Sequence, residues 1–451
     1  MTQIRPLTRK SFWKRKSFLF IAIPLSIAMM VFVYYAAAQY QASRRVAAEV
    51  QRIRAANLPI DAETQNQWFT ANTSREHSDA WAEILMLGNV SASGPEVMEK
   101  LPYLGNAALP PSIDPDQPWP DEPVVAQWLE MTKPLINKIH SVTRSKQPTW
   151  QPLAFEGVVT LLEPVQHSRN IGRILQLEIE HALYVGDGDR AMRGLQSLDG
   201  LAYAFDWNVC LVTDLVGIAL RGIHFKMIQR SLSLDIWTDV QLAELSSQLA
   251  PRVDLAKRWR ATIAGERGFM FDEIANQGAR VNESDLGSFS LIFSIPSVQE
   301  SLLAAYSQME TVADQGFEKL ETNAQELESR LADVRRSGFS IENIGVRMLL
   351  PAVNAFATAV IRSEDTRRFT LTAVGIKRYQ KGQGKFPDRL EQLKNIGFGA
   401  TDWTTVGGKP FGYSNSESVQ LWSYSFRDMN VIEQAPPKSD DDNMQQVVTI
   451  R

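Results

Sequence analysis

The chain has 451 residues, 44% hydrophobic and 22% charged, enough for two or three domains with real cores. Its net charge of −4 hides a division: six bases and no acid stand in residues 1–16, leaving 41 bases against 51 acids beyond. An acidic body of this kind excludes wrapping nucleic acid, whose phosphates need a basic surface, and a single cysteine, Cys210, excludes an internal disulfide.

Residues 17–38 carry no charge over 22 positions. As a helix they extend about 33 Å, enough to cross a hydrocarbon core of roughly 30 Å. Pro24 inside the segment is tolerated by a membrane helix, and Tyr34, Tyr35 and Tyr40 suit the interface where amphipathic rings settle. The basic tail, residues 1–16, precedes the segment and only Arg44 and Arg45 closely follow it. That asymmetry predicts a single-pass cell-membrane protein with its N-terminus in the cytoplasm and residues 39–451 on the outer, periplasmic side. The competing reading is a signal peptide cleaved after Ala38, since Ala36-Ala37-Ala38 supplies an A-x-A pattern. Against it stand the length of the apolar run and two tyrosines just before the cut.

Residues 39–93 read as a polar helical stalk followed by short helices, with Trp68 and Trp81 as core anchors. Repeated proline (Pro95, Pro102, Pro110, Pro111, Pro115, Pro118, Pro120) predicts an irregular loop over residues 94–122. Residues 123–381 form the helical body. Helices are expected over 124–141, 155–185, from 190 onward, 207–228 and 238–250, the last opened by the capping box Thr238 to Gln241. A basic helix follows, holding Lys257, Arg258, Trp259 and Arg260. After a break over 278–296, Ser297 and Glu300 cap a charged helix running to about 336; two more cover 341–350 and 351–381. Residues 382–432 change character: a short helix over 387–395 ended by Gly397, then strands over 409–413 and 419–425 forming a β-hairpin. Residues 433–451, with Pro436, Pro437 and Asp440 to Asp442, read as a disordered tail. The expected fold is mainly α: one N-terminal transmembrane helix, a helical bundle or hairpin body, and a small C-terminal α+β module. One turn, around Gly186-Asp187, looks like that of a helical-hairpin repeat, but nothing recurs at a fixed period.

Chemistry is thinly marked. Glu178 and His181 stand in E-x-x-H spacing, which in ferritin-like bundles places two metal ligands on one helix face. That architecture needs a second copy, and the neighbouring pair Glu163 and His167 lies roughly 20 Å along the same helix, too far to share an ion. Glu178 and His181 are therefore weak metal candidates, and no cofactor is expected. His77, His140 and His224 lack acidic or cysteine partners in sequence, and Cys210 reads as a small core residue. Gly265-Glu266-Arg267-Gly268 sets a charged pair amid apolar residues. Glu266 as general base with Arg267 steering an anion is one reading; a buried ion pair that fixes packing register is the favoured one. The cluster Lys257 to Arg260 suits lipid headgroups or an acidic polymer, though a solvated helix face is the simpler account. No zinc-helix, phosphate-loop, dinucleotide or nucleophile-elbow motif occurs.

Two resemblances emerge from these residues. Residues 178–250, with the Gly-Asp turn and Leu215-Val216-Gly217-Ile218-Ala219, together with Gly265-Glu266-Arg267, resemble a group of uncharacterised membrane-anchored proteins of planctomycete bacteria. The resemblance implies an architecture and no reaction. Tyr379, Gly384-Lys385-Phe386-Pro387, Leu390, Leu393, Asp402-Trp403, Gly408-Lys409-Pro410-Phe411, Tyr413 and Leu421-Trp422-Ser423 look like the C-terminal half of the major pseudopilin of type II secretion. Thr404 follows Asp402-Trp403 with no intervening proline and Ser425 replaces a family glycine, so no calcium ligands carry over. The prepilin processing motif is also missing from the membrane segment. The leading expectation is a non-enzymatic envelope scaffold that touches the bilayer through residues 17–38 and binds envelope proteins. The alternative is a cell-envelope hydrolase using Glu266 or the Glu178/His181 region in a cleft.

Overall fold

The computed structural model describes residues 10–75, 78–88, 95–105, 107, 118–143, 155, 163–206, 210–251, 254–276, 294–320, 322–327, 329, 344–415, 419–424 and 444–450. The protein is mainly helical, with one apolar N-terminal helix and a small antiparallel sheet. Helix α1 (Lys10–Ala55) is a single rod of 46 residues passing through Pro24. The expected membrane segment and stalk are two halves of it. Helix α2 (Ala62–Asn72) starts at a reciprocal cap: the Thr64 amide donates to Asp61 Oδ1 at 2.8 Å, and Thr64 Oγ1 accepts from the Asp61 amide at 3.1 Å. Helices α3 (Ser78–Leu87), the single turn α4 (Pro95–Met98), α5 (Glu122–Val142), α6 (Glu163–Tyr184), α7 (Gly188–Tyr203) and α8 (Leu211–Ser231) follow. Gly186, at φ +74, turns the chain from α6 into α7, and Asp187 accepts from the Arg190 amide to cap α7. The box at Thr238 opens α9 (Asp239–Gln248) as expected, with the Thr238 amide donating to Gln241 Oε1 at 2.9 Å.

Helices α10 (Leu255–Asn276), α11 (Pro296–Thr311) and α12 (Ile344–Gln383) complete the body. Three expectations change here. The charged helix expected to reach residue 336 is interrupted after Thr311, where two 3-10 turns, Val312–Gln315 and Phe317–Lys319, flank Gly316 at φ +106; helix resumes over 322–327, and 330–336 lie outside the described residues. The two helices expected over 341–381 are one, α12, of 40 residues and continuous through Pro351. Of the tail expected to be disordered over 433–451, residues 444–450 supply a third strand, and 433–443 and 451 lie outside the described residues. Strands β1 (Gly412–Ser414), β2 (Val419–Tyr424) and β3 (Met444–Ile450) form an antiparallel sheet in that order, with Tyr413 opposite Leu421 and Leu421 opposite Val448. Val448 and Ile450 are buried, and that burial is the gain that orders the strand. The loop expected to be irregular over 94–122 holds the helical turn α4 at its start and buries Leu101 and Trp119, while 94, 106 and 108–117 lie outside the described residues. Of the expected break over 278–296, residues 278–293 lie outside them and Pro296 already opens α11.

One hydrophobic cluster joins α3, α5 to α9, the second half of α12 and the sheet; a second joins α10, α11 and the first half of α12. Helix α12 thus runs through both. The C-terminal module shares the body's core: Phe411 meets Phe369 of α12 edge-on at 5.4 Å. A third, small cluster of Val46, Ile53, Ile60, Phe271 and Leu303 fastens α1 to α10 and α11.

Candidate functional site

The two halves of α1 have opposite surroundings. Along its first half the apolar side chains stand in the open, Phe32 at 70% and Tyr40 at 67% exposure, while Ala42, one half-turn on, is 2% exposed. Among the described residues, α1 is the helix long and apolar enough to cross a membrane, with a mean hydropathy of 1.6 over an 18-residue window that is nowhere buried.

The second half is docked. Gln39 Nε2 donates to Ser297 Oγ at 3.1 Å, and the Ser297 amide donates back to Gln39 Oε1 at 3.1 Å. Ser307 Oγ donates to Glu49 Oε1 at 2.9 Å, at the same sequence separation of 258, and Arg45 forms an ion pair with Glu300. A constant separation means that α1 and α11 run parallel and in register. These bonds also explain why the expected cap of α11 is absent. Ser297 lies inside the helix, which starts at Pro296, and both Ser297 and Glu300 are engaged by α1. The 39–55 segment is therefore part of the body, which differs from the freestanding stalk expected.

Glu266 and Arg267, adjacent in sequence, diverge in space because consecutive helical side chains point about 100° apart. Glu266 Oε2 accepts from the Leu211 amide at 2.9 Å, placing a carboxylate on the N-terminus of α8, where the helix dipole favours it. Burial raises the Glu266 pKa and the Leu211 amide opposes that rise. Arg267 is fully buried, pairs with Glu310 of α11 and donates from Nε to the Pro59 carbonyl at 3.2 Å. Of the buried helix-to-helix ion pairs favoured from sequence, Arg267 forms one, joining α10 to α11, whereas Glu266 accepts a backbone amide.

Glu178 and His181 also part. His140 of α5 bridges Ser197 of α7 and Glu178 of α6, at 2.6 Å from Nδ1 to Ser197 Oγ and 3.1 Å from Nε2 to Glu178 Oε1. A carboxylate only accepts, so in the neutral ring Nε2 donates to Glu178 and Nδ1 accepts the Ser197 hydroxyl proton. The polarity is that of a serine–histidine–carboxylate relay. Yet Ser197 is 1% exposed, so no substrate reaches its oxygen, and the chain acts as a clamp between three helices. His181 has other partners: Arg190 donates to its Nδ1 at 2.6 Å, so its Nε2 donates to Glu122 Oε1 at 3.0 Å. Burial holds the His181 pKa below its ordinary value. Both histidines line a cavity of about 300 Å³ with Lys133, Glu178, Arg190 and Arg193. Among the described residues no group of three or more His, Cys, Asp or Glu side chains is placed to hold a metal ion.

The remaining candidates resolve into structure. His224 meets Gln248 Oε1 at 3.1 Å in the core, and His77 and the Glu163 side chain lie outside the described residues. Cys210 is buried just before α8. The Lys257 to Arg260 cluster is not one solvated face. Arg258 is buried against Asp214 and Asp206, and Trp259 is buried with its indole donating to the Met309 carbonyl at 2.7 Å. Sequence reasoning missed this charge cluster, which Arg221 joins through Asp206. Its one local signal is Asp214, an acid set in the apolar run of α8. Against known proteins the chain stands apart: no family model, no curated protein and no solved structure matches it.

Proposed function

We propose that the chain is a single-pass membrane protein whose helical body serves as a scaffold or protein-interaction domain in the cell envelope. The observation that carries the proposal is the bare apolar half of α1, which no other described part of the protein covers. In water each such side chain forfeits roughly 1.5–3 kcal/mol relative to burial, and a bilayer is the solvent that restores it. The six bases of residues 1–16 and the acidic remainder favour an N-terminus in the cytoplasm and a body outside. The long α12 leading into Gly384, the 3-10 turn Leu390–Ile396 and the hairpin is the arrangement a pseudopilin-like C-terminal module calls for. Kinship with membrane-anchored planctomycete proteins belongs to the same proposal.

Mass analysis of the N-terminal peptide from carbonate-washed membranes tests the tether. Residues 17–38 are expected to remain attached; a mature chain starting at Gln39 and released by carbonate overturns it. The alternative, a cell-envelope hydrolase, draws its support from the cavity that Glu178 and His181 line. Hydrolysis of envelope substrates by the purified full chain that vanishes on Glu178→Gln or Glu266→Gln would establish it in place of the scaffold.

A further inference from the structure

The place where α1 leaves its exposed environment is the place where the body begins. Tyr40 is bare and Ala42 is buried, while Gln39 is already hydrogen-bonded to Ser297. Because α1 and α11 run parallel and in register, Pro296, the first residue of α11, stands level with the last residues of the apolar half. Helix α10 lies antiparallel to α11, since Trp259 reaches the Met309 carbonyl and Arg267 reaches Glu310, whereas Phe271 packs with Leu303. Its C-terminal end, at Asn276, therefore points to the same side as the start of α11.

We infer that the body sits directly on the phospholipid headgroups of the leaflet it faces, through the end of the α10–α11 pair formed by the close of α10 and the start of α11. This rests on the anchor reading of α1. The distances decide between the two arrangements. A freestanding helix over residues 39–55 lifts the body about 25 Å off the hydrocarbon edge, at 1.5 Å per residue. The headgroup layer on one side is about 5–8 Å thick, so a lifted body clears it completely. In the docked arrangement Ser297 is level with Gln39, one residue from the interfacial Tyr40, and no clearance remains. Arg44 and Arg45 follow within about two turns of that boundary, where lipid phosphates lie, and Arg45 is tied to Glu300 of the body.

The experiment uses the full chain with Cys210→Ala, in nanodiscs of phosphatidylethanolamine and phosphatidylglycerol. Single cysteines replace Val31 in the apolar half, Ser294 beside the start of α11, and the exposed Val240 at the head of α9. Each carries a bimane fluorophore, and the discs contain lipids bearing a nitroxide quencher on the headgroup or in mid-chain. The expected result is mid-chain quenching at Val31, headgroup quenching at Ser294 several-fold above that at Val240, and little at Val240. Quenching at Val31 with Ser294 no stronger than Val240 overturns the seated body and leaves the anchor standing. Absence of quenching at Val31 overturns the anchor itself.

Discussion

Arg267 is stable in the core only with Glu310 beside it. Removing one partner of a buried pair strands the other charge, and the cost is about 3–5 kcal/mol. Arg267→Ala is therefore expected to lower stability by that amount in urea unfolding, while Arg267→Met with Glu310→Leu recovers most of it. A single variant within 1 kcal/mol of wild type, roughly the worth of a surface pair, would show that the two are not paired. His181 makes a pH statement. Burial holds its folded pKa below the ordinary value of about 6.5, so the unfolded chain takes up the proton first as pH falls. The contribution is intact above about pH 6.5 and is lost as pH drops below it. Burial raises Glu266 and Glu310, which act in the opposite direction, so the comparison is between wild type and His181→Gln. Wild type should lose more stability between pH 7.5 and 5.5 than the variant; equal losses would remove His181 from the account. Cys210, its thiol pushed up to about 11 by burial and by Glu266, is expected to resist alkylation at pH 8 until the protein is unfolded.

At the scale of elements, tertiary partners overrode local signals twice. The expected cap of α11 gave way because Gln39 and Arg45 of α1 offered Ser297 and Glu300 better-placed bonds. The acidic, proline-bearing tail reads as disordered, yet its last residues pair with β2, which would otherwise present an unpaired edge. A chain ending at residue 443 should therefore lose hydrogen-exchange protection at the β2 amides and gain a tendency to aggregate. Unchanged protection in β2 would remove β3 from the sheet. By contrast, Gly186, Gly397 and the Thr238 box were legible in sequence, because a left-handed glycine or a reciprocal cap is decided within four residues.

For the whole molecule, the sharpest division lies inside α1. A chain of residues 39–451 keeps Val46 and Ile53 in their cluster and should unfold at the same temperature as the full chain. A chain starting at residue 56 loses both, each worth about 1.5–3 kcal/mol, and should melt several degrees lower. Equal melting of the two shortened chains would show that the docked half adds nothing to the body.

The sequence by itself determined that the chain is mostly helical, that its N-terminal part carries a long apolar helix, and that a β-hairpin follows the helical body. Composition and hydrophobic period are local quantities, readable over one or two turns. Only the tertiary structure decided that residues 39–55 belong to the body, that Arg267 answers Glu310 while Glu266 caps α8, and that residues 444–450 complete a sheet. Those outcomes depend on which distant surface removes the most apolar area from water and satisfies the most buried charge. That choice compares partners some 250 residues apart, and no local window contains both.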